Sequence, residues 1–519
     1  LAAAIVAAMD AEEVLGQLFM IAYPGTRPDE ACMRWIRERG AAGVKIFGWN
    51  AQDERDMVES IAAMQAASLA GRFGLPLLVA TDQEGGWIRH VGGRTSQTPG
   101  NMALGASGFP RDAYESGLII GAELAALGIN MNFAPVVDLA TDPASWIIGS
   151  RAFSDDPMQT AILAAAYARG LADSGVIATA KHFPGHGDTS KDSHVAMPVI
   201  GVDWDTLWGR ELLPYRVLAK DGLPAVMSGH LAFPAAGSGM APASLSPFFL
   251  RDVLRKRIGF RGVVVTDDLR MEGAVAWAGS LAAAAESAIR AGNDIILMSS
   301  LPSEDCWQRC LETYRMDPAF RARCLESANR VLSLKLERLR GEGAVSFAPD
   351  YDSLSGRLPD PRAGKHALEV SARAVTFVKP GSLPWAGEGE SVLIASQYAA
   401  FIDAGLKAYP RAAVYRFSYS ASREARAREA EELSRLAAGR KRVIISISND
   451  GSAILLSAPR RAGAETLAVA VYSPAVISGP EAADAIVACY SSSAQAFLAA
   501  FSAIRGSIPA QGRLPFAWP

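Results

Sequence analysis

The sequence predicts an α/β protein: an N-terminal TIM-type (β/α)8-like barrel followed by a smaller C-terminal α/β/α sandwich domain. Three observations predict it. The chain has 519 residues, more than one hydrophobic core usually organises, so two domains are expected. Its first ~300 residues alternate short apolar runs with Ala-rich helical stretches, at the size of a TIM barrel. A second, shorter series of the same kind follows a break rich in Gly and Pro.

The runs of the first series are Leu18–Tyr23, Gly43–Gly48, Leu77–Thr81, Ile129–Ala134, Val176–Lys181, Ala225–Ser228, Gly262–Thr266 and Asp294–Met298. Each is nearly continuous in apolar residues rather than alternating, the pattern of parallel strands covered on both faces. A doubly wound open sheet would carry a Gly-rich phosphate turn after its first strand, where this chain has Tyr23-Pro24-Gly25. Helical, charged sequence runs over 317–340, and 341–365 then loses periodicity around Pro349, Pro359 and Pro361, reading as a linker. Beyond it come Ala374–Val378, Val392–Ser396, Ala413–Phe417, Val443–Ile447, Leu467–Tyr472 and Ala485–Tyr490, with helical sequence such as Ser422–Ala438 between them. The expected organisation is therefore a barrel over 1–340, a linker over 341–365 and a sandwich over 366–519.

Composition narrows the function classes. Half the residues are hydrophobic, 20% are charged and the formal net charge is −3, so the chain can bury a large core and shows no basic block for nucleic acid. A small polar or neutral substrate fits this balance. The five cysteines (Cys32, Cys306, Cys310, Cys324, Cys489) form no Cys-x-x-Cys pair and read as buried free thiols. No stretch reaches 18 uninterrupted apolar residues, so no membrane span is expected. The opening Leu-Ala-Ala-Ala-Ile-Val reads as an amphipathic first helix. Because the sequence starts without Met, an upstream export signal is conceivable, and a bacterial cell-envelope location is favoured over the cytoplasm.

Barrel active sites form at the carboxyl ends of the strands, so the chemistry is sought there. After Leu77–Thr81 comes Asp82-Gln83-Glu84-Gly85-Gly86; after Ile129–Ala134 come Pro135 and Asp138, with Arg151 beyond. Val176–Lys181 leads into Lys181-His182-Phe183-Pro184-Gly185-His186-Gly187-Asp188 and then Asp192-Ser193-His194. Gly229-His230 and Asp267-Asp268 follow the next two strands. Four of the six histidines fall in these segments, a concentration that packing alone does not produce.

His182, His186 and His194 raise the question of a metal. Pro184 and Gly185 break any helix between the first two, which removes the helical His-x-x-x-His zinc geometry, so no metal and no cofactor is expected. Asp192 and His194, two apart on a loop, can hydrogen-bond directly; a carboxylate so placed fixes the imidazole tautomer and makes His194 a proton donor and acceptor near neutral pH. Asp267 is the first residue past Val263–Thr266, placed to attack a ligand over the mouth, while Asp268 points elsewhere by alternation and suits the following turn.

These motifs resemble those of family 3 glycoside hydrolases of the two-domain β-N-acetylglucosaminidase branch. Lys181–Asp188 with Asp192-Ser193-His194 is similar to that branch's signature, as are Thr266–Ala274, Asp82–Gly86 and Asn132–Asp138. Gly506–Pro509 and Gly512–Pro515 resemble the ending of its second domain. The resemblance implies Asp267 as the nucleophile, His194 as general acid/base held by Asp192, and Asp82, Arg151, Lys181 and His182 as ligands of the sugar hydroxyls. It implies an exo-acting, retaining enzyme for carbohydrates bearing terminal β-linked N-acetylglucosamine, such as muropeptides or chitooligosaccharides.

The resemblance leaves one position divided. Such members carry an Arg eight residues after the first Asp of Asp-Gln-Glu-Gly-Gly; here that position is His90 and the Arg is Arg89, so either can reach the sugar. Trp87, in the same segment, can stack on a sugar face, but a packed aromatic is the favoured reading.

Two rival functions remain. A histidine acid/base does not repel phosphate, so phosphorolysis is the alternative within the same dyad. A catalytically idle amino-sugar-binding protein is the alternative of another class, and retention of Asp192, His194 and Asp267 together speaks against it. The second domain is expected to supply no catalytic residue, and the oligomeric state is unconstrained.

Overall fold

A computed structural model of the chain describes residues 1–142, 145–189, 197–387 and 391–518. The first strands are β1 (Phe19–Ile21), β2 (Gly43–Lys45) and β3 (Leu78–Thr81), followed by a small hairpin of β4 (Gln83–Gly85) and β5 (Ile88–Arg89). Next come β6 (Met131–Asn132), β7 (Ile177–Phe183), β8 (Ala225–Ser228), β9 (Val263–Thr266) and β10 (Ile296–Leu297). Eight of these form one parallel sheet in the order β10-β1-β2-β3-β6-β7-β8-β9. A parallel bridge between Val265 and Ile295, with Thr266 N–H donating to the Ile295 carbonyl at 3.0 Å, brings the two edges together and closes the barrel. Each run of the first series overlaps one of these strands, and β7 continues two residues past its run, to Phe183.

Near-continuous apolar runs are required because the strands are buried on both sides. Met20, Leu78, Ala80, Met131, Phe133, Met227, Val263 and Val265 fill the barrel interior, where Val331 and Leu334 of the helix Pro318–Arg338 join them. The intervening Phe19, Ile21, Val79, Val226 and Val264 face the surrounding helices. The same alternation that points Val263 and Val265 inward points Asp267, two residues on, to the interior side at the mouth.

The second sheet comprises β11 (Thr376–Lys379), β12 (Val392–Ser396), β13 (Ala413–Arg416), β14 (Arg442–Ile447), β15 (Glu465–Ala470) and β16 (Ala485–Ala488). Its order is β11-β16-β15-β14-β12-β13, parallel except for β11, which runs antiparallel along β16 at the edge. In β14, Val443, Ile445 and Ile447 enter one core and Ile444 the other, so both faces are covered and the domain has three layers.

The stretch between the two sheets is packed rather than free. Val345, Leu354 and Leu358 join the outer barrel core, the Tyr351 ring lies 4.2 Å beneath the Arg55 guanidinium, and Asp360 N–H donates to Glu123 at 2.9 Å. The domains also meet directly. Arg373 grips Asp112 through two hydrogen bonds of 2.6 and 2.9 Å, and Asp155 N–H donates to the Pro515 carbonyl at 2.8 Å. Among the described residues no helix is long and apolar enough to cross a membrane, and all five cysteines are buried free thiols.

Candidate active site

At the mouth, the β4–β5 hairpin folds back over the end of β3 and sets two carboxylates side by side. Gly85 and Gly86, with φ of +90° and +65°, make its turn, a conformation other residues rarely adopt. The Gln83 side chain ties the hairpin closed by exchanging two hydrogen bonds with the Val91 backbone, at 3.0 and 3.1 Å. The Tyr167 hydroxyl supports it from below, 3.2 Å from the carbonyls of both Gln83 and Glu84.

The result is a buried ionic cluster. Asp82 faces Lys181 through one oxygen at 2.5 Å and Lys45 through the other at 2.5 Å, with His90 Nδ1 at 3.6 Å. Glu84 accepts two hydrogen bonds of 2.8 Å from Arg151 and lies 2.6 Å from Lys181. Burial favours protonating these carboxylates, but the surrounding cations outweigh it: Glu84 is held down to about 2 and Asp82 well below the usual carboxylate range. Lys181 is pushed up for the same reason, its two carboxylate neighbours overcoming its burial. Three fixed cations thus meet two carboxylates. A lysine has three N–H donors and an arginine five, so donors remain after these contacts for the hydroxyls of a polar ligand.

Beside this cluster stands a second carboxylate–imidazole group. Asp138, fully buried, accepts from His182 Nδ1 at 2.7 Å and from the backbone N–H groups of His182 at 3.2 Å and His186 at 2.7 Å. A carboxylate only accepts, so Nδ1 of His182 carries the proton and Nε2 is left to face the mouth chemistry. Burial would raise Asp138, but His182, His186 and the backbone donor hold it down to about 2. Burial pushes His186 down to about 4.

Asp267 completes the mouth. Its backbone N–H donates to the Ser228 carbonyl at 2.9 Å, and its carboxylate accepts from Asp268 N–H at 2.8 Å. Burial favours its neutral form, yet His182, His230, that N–H group and Lys45 together lower it below the ordinary carboxylate value. An ionised, partly exposed carboxylate at a strand end can act as a nucleophile. Asp268 instead accepts from the backbone N–H groups of Arg270 and Ser299, both at 3.1 Å, and anchors the turn. Behind it, His230 Nε2 lies 3.0 Å from the Asp268 carbonyl and Nδ1 lies 2.7 Å from the Ser244 hydroxyl. The carbonyl requires Nε2 to be the donor, so Nδ1 accepts from Ser244. Burial keeps this imidazole below its ordinary value.

The structure thus brings together Asp82, His90, Arg151, Lys181, His182 and Asp267 from the residues singled out in the sequence. Arg89 is turned away: its guanidinium donates to the Thr95 carbonyl at 2.8 Å, while its neighbour His90 faces Asp82. Asp192 and His194 lie outside the described residues. Trp87, read as a packed ring, is 48% exposed, because the hairpin turn carries it out of the core. Lys45, Glu84, Asp138 and His230 belong to the site and were given no role from sequence. Lys45 could have been found by the strand-end rule, since it closes β2. Among the described residues no group of His, Cys, Asp and Glu side chains is arranged to hold a metal.

Cleft size alone would mislead here. Clefts of about 660 and 440 Å³ lie at the opposite end of the barrel, around Ile177, Pro224 and Val263 where strands begin, and hold none of these convergent groups.

The chain matches the Glycosyl hydrolase family 3 N terminal domain over residues 11–334. It belongs to glycosyl hydrolase family 3. It is therefore a glycoside hydrolase acting on a carbohydrate substrate. The Beta-hexosaminidase of Tolumonas auensis is 35% identical over 318 residues, covering 60% of this chain and 90% of that protein. The Beta-hexosaminidase of Xylella fastidiosa (strain 9a5c) is 35% identical over 288 residues, covering 54% and 83% respectively. The solved family 3 β-N-acetylglucosaminidase of Paenibacillus sp. str. FPU-7 superposes with a TM-score of 0.88 at 27% identity, covering 98% of this chain and 99% of that one. The two-domain architecture of this family 3 chain thus extends over the whole of that structure.

Proposed function

We propose that this chain is a retaining exo-β-N-acetylglucosaminidase that releases terminal β-linked N-acetylglucosamine from cell-wall muropeptides or chitooligosaccharides. The observation that carries the reading is the ionised Asp267 carboxylate at the end of β9, beside a buried cluster whose cations retain hydrogen-bond donors. The names of the relatives support the choice of sugar.

In this reading the ring hydroxyls of the terminal sugar bind against Asp82, Arg151, Lys181, His182 and His90. Asp267 attacks the anomeric carbon as the glycosidic C–O bond breaks, and His194, oriented by Asp192, gives its proton to the leaving oxygen. The same imidazole then takes a proton from water, which displaces Asp267 from the sugar. Fixed charges around the ring supply orientation that a solvated site would lack.

The test is release of p-nitrophenol from p-nitrophenyl N-acetyl-β-glucosaminide by the folded protein, and its loss by several orders of magnitude in Asp267→Asn. No release by the wild type would sink the reading, and an active Asp267→Asn would remove the nucleophile. With the same substrate in phosphate buffer, analysis of the sugar product finds sugar 1-phosphate in place of free N-acetylglucosamine if phosphate rather than water is the second nucleophile.

A further inference from the structure

The chain has ten tryptophans, and among the described residues the exposed ones are Trp49 (40%), Trp87 (48%), Trp146 (67%) and Trp277 (49%). Three lie in segments that follow the carboxyl end of a barrel strand, Trp49 after β2, Trp87 after β3 and Trp146 after β6, and Trp277 lies in the short helix Glu272–Ala278 that follows β9. A single exposed apolar side chain needs no explanation. Four large exposed rings in segments that follow the strand ends at the mouth do.

Trp49 is tied to the site by continuous contact. Its ring stacks on Phe47 with centroids 4.2 Å apart and planes within 7°. Phe47 in turn lies 5.8 Å from the His90 ring and 4.0 Å beneath the Lys45 ammonium, and both of those groups face Asp82. The loop is also rigid. Asn50 accepts from Phe47 N–H at 2.8 Å and donates to the carbonyls of Tyr23 and Gly25 at 3.0 and 2.7 Å. The Trp49 indole N–H donates to the same Tyr23 carbonyl at 3.1 Å. One face of the indole is therefore covered by Phe47 and its N–H is engaged, so the exposed surface is a flat platform at the rim held by two contacts.

We propose that Trp49 is the platform on which the sugar ring next to the terminal residue stacks, so that the preferred substrate is an oligosaccharide. The proposal rests on the amino-sugar hydrolase reading above and adds its leaving group. A pyranose presents a patch of axial C–H bonds on its face and hydroxyls at its edge. An indole plane gives the C–H patch apolar contact without desolvating the hydroxyls, and a ring already fixed in place loses no rotamer freedom on binding. Lys45 connects the loop to the sugar-binding cluster by geometry, since its ammonium lies 4.0 Å over the Phe47 ring and pairs with Asp82 at 2.5 Å. The platform therefore borders the cluster that would hold the terminal sugar, within reach of a ring linked to it.

The experiment compares kcat/KM for methyl N-acetyl-β-glucosaminide, which has no second ring, with the β-1,4-linked N-acetylglucosamine disaccharide and trisaccharide. Trp49→Ala is expected to lower kcat/KM for the two oligosaccharides roughly 3- to 10-fold more than for the methyl glycoside, the range for one aromatic contact. Trp49→Phe, which keeps a flat face, is expected to restore most of that difference. Equal losses on all three substrates, or no loss on any, overturn the platform while leaving the hydrolase reading intact. A wild type that cleaves none of the three overturns both.

Discussion

Asp138→Asn separates what holds the site together from what reacts in it. The Asp138 carboxylate accepts three hydrogen bonds, one from the His182 ring and two from backbone N–H groups of the segment Lys181–Gly187. Its neighbours lower it from 3.8 to about 2. A tenfold change in acidity is worth ~1.4 kcal/mol, so the charged form contributes about 2 kcal/mol to folding. A group with a depressed folded value gives that stability in full above its unfolded value, near pH 4. It is lost as pH falls through about 2, where both states are protonated. Asparagine is the same shape but turns an N–H donor toward groups that are themselves donors, which adds roughly 1–3 kcal/mol that does not vary with pH.

The assay is urea unfolding of wild type and variant from pH 7 down to pH 3, followed by the fluorescence of the barrel's buried tryptophans, Trp35 and Trp307. The expected result is a lower midpoint for the variant at pH 7 and a deficit that narrows as pH falls. The kinetic counterpart is a fall in kcat/KM of ~10- to 100-fold, as when the partner that fixes an imidazole is removed from a liganding histidine. A midpoint unchanged at pH 7, or a deficit constant from pH 7 to 3, refutes the reasoning.

Other perturbations follow from the same contacts. Glu84→Gln leaves Arg151 and Lys181 short of a charge in a buried setting, so a loss of roughly 3–5 kcal/mol in unfolding free energy is expected, with KM raised. His90→Ala is expected to lower kcat/KM more than Arg89→Ala, because His90 faces Asp82 while the Arg89 guanidinium serves the Thr95 carbonyl; the reverse order in steady-state kinetics contradicts it. Lys335 is buried with Gln17 Oε1 at 2.8 Å, and burial pushes it down to about 7. Lys335→Met is therefore expected to raise the unfolding free energy by on the order of 1–4 kcal/mol at neutral pH and below, read from urea unfolding. That gain should shrink as pH rises from 7 towards 10, as the unfolded-state lysine also loses its proton.

Much of the fold was legible because both sheets are buried on two faces. A run such as Val263-Val264-Val265-Thr266 then announces a strand by composition alone, and the two residues that follow it are drawn to the mouth. The antiparallel direction of β11 was not legible, because Thr376–Lys379 carries the same local signal whichever way it runs. Nor was the β4–β5 hairpin, whose Gln, Glu and Gly residues have no apolar period and which is held by Gln83 and Tyr167 from outside itself.

The same division applies to the site. Residues within motifs, such as Asp82 and Lys181, were visible locally. The pairing of Lys45 with Asp82 and of His182 with Asp138 joins ends of different strands, and only closure of the barrel brings them together. Trp87 was misjudged for a related reason: an aromatic beside two glycines looks packable until the turn's direction is known.

The central claim, that Asp267 forms a covalent bond to the sugar, is tested most directly by trapping that bond. The protein is mixed with a fluorinated N-acetylglucosaminyl donor that forms the intermediate faster than it is hydrolysed, then quenched, digested and mapped by mass spectrometry. One added amino-sugar residue on the peptide containing Asp267, absent from Asp267→Asn, is the predicted result. A label on another carboxylate, or no label while the donor is still turned over, contradicts the account.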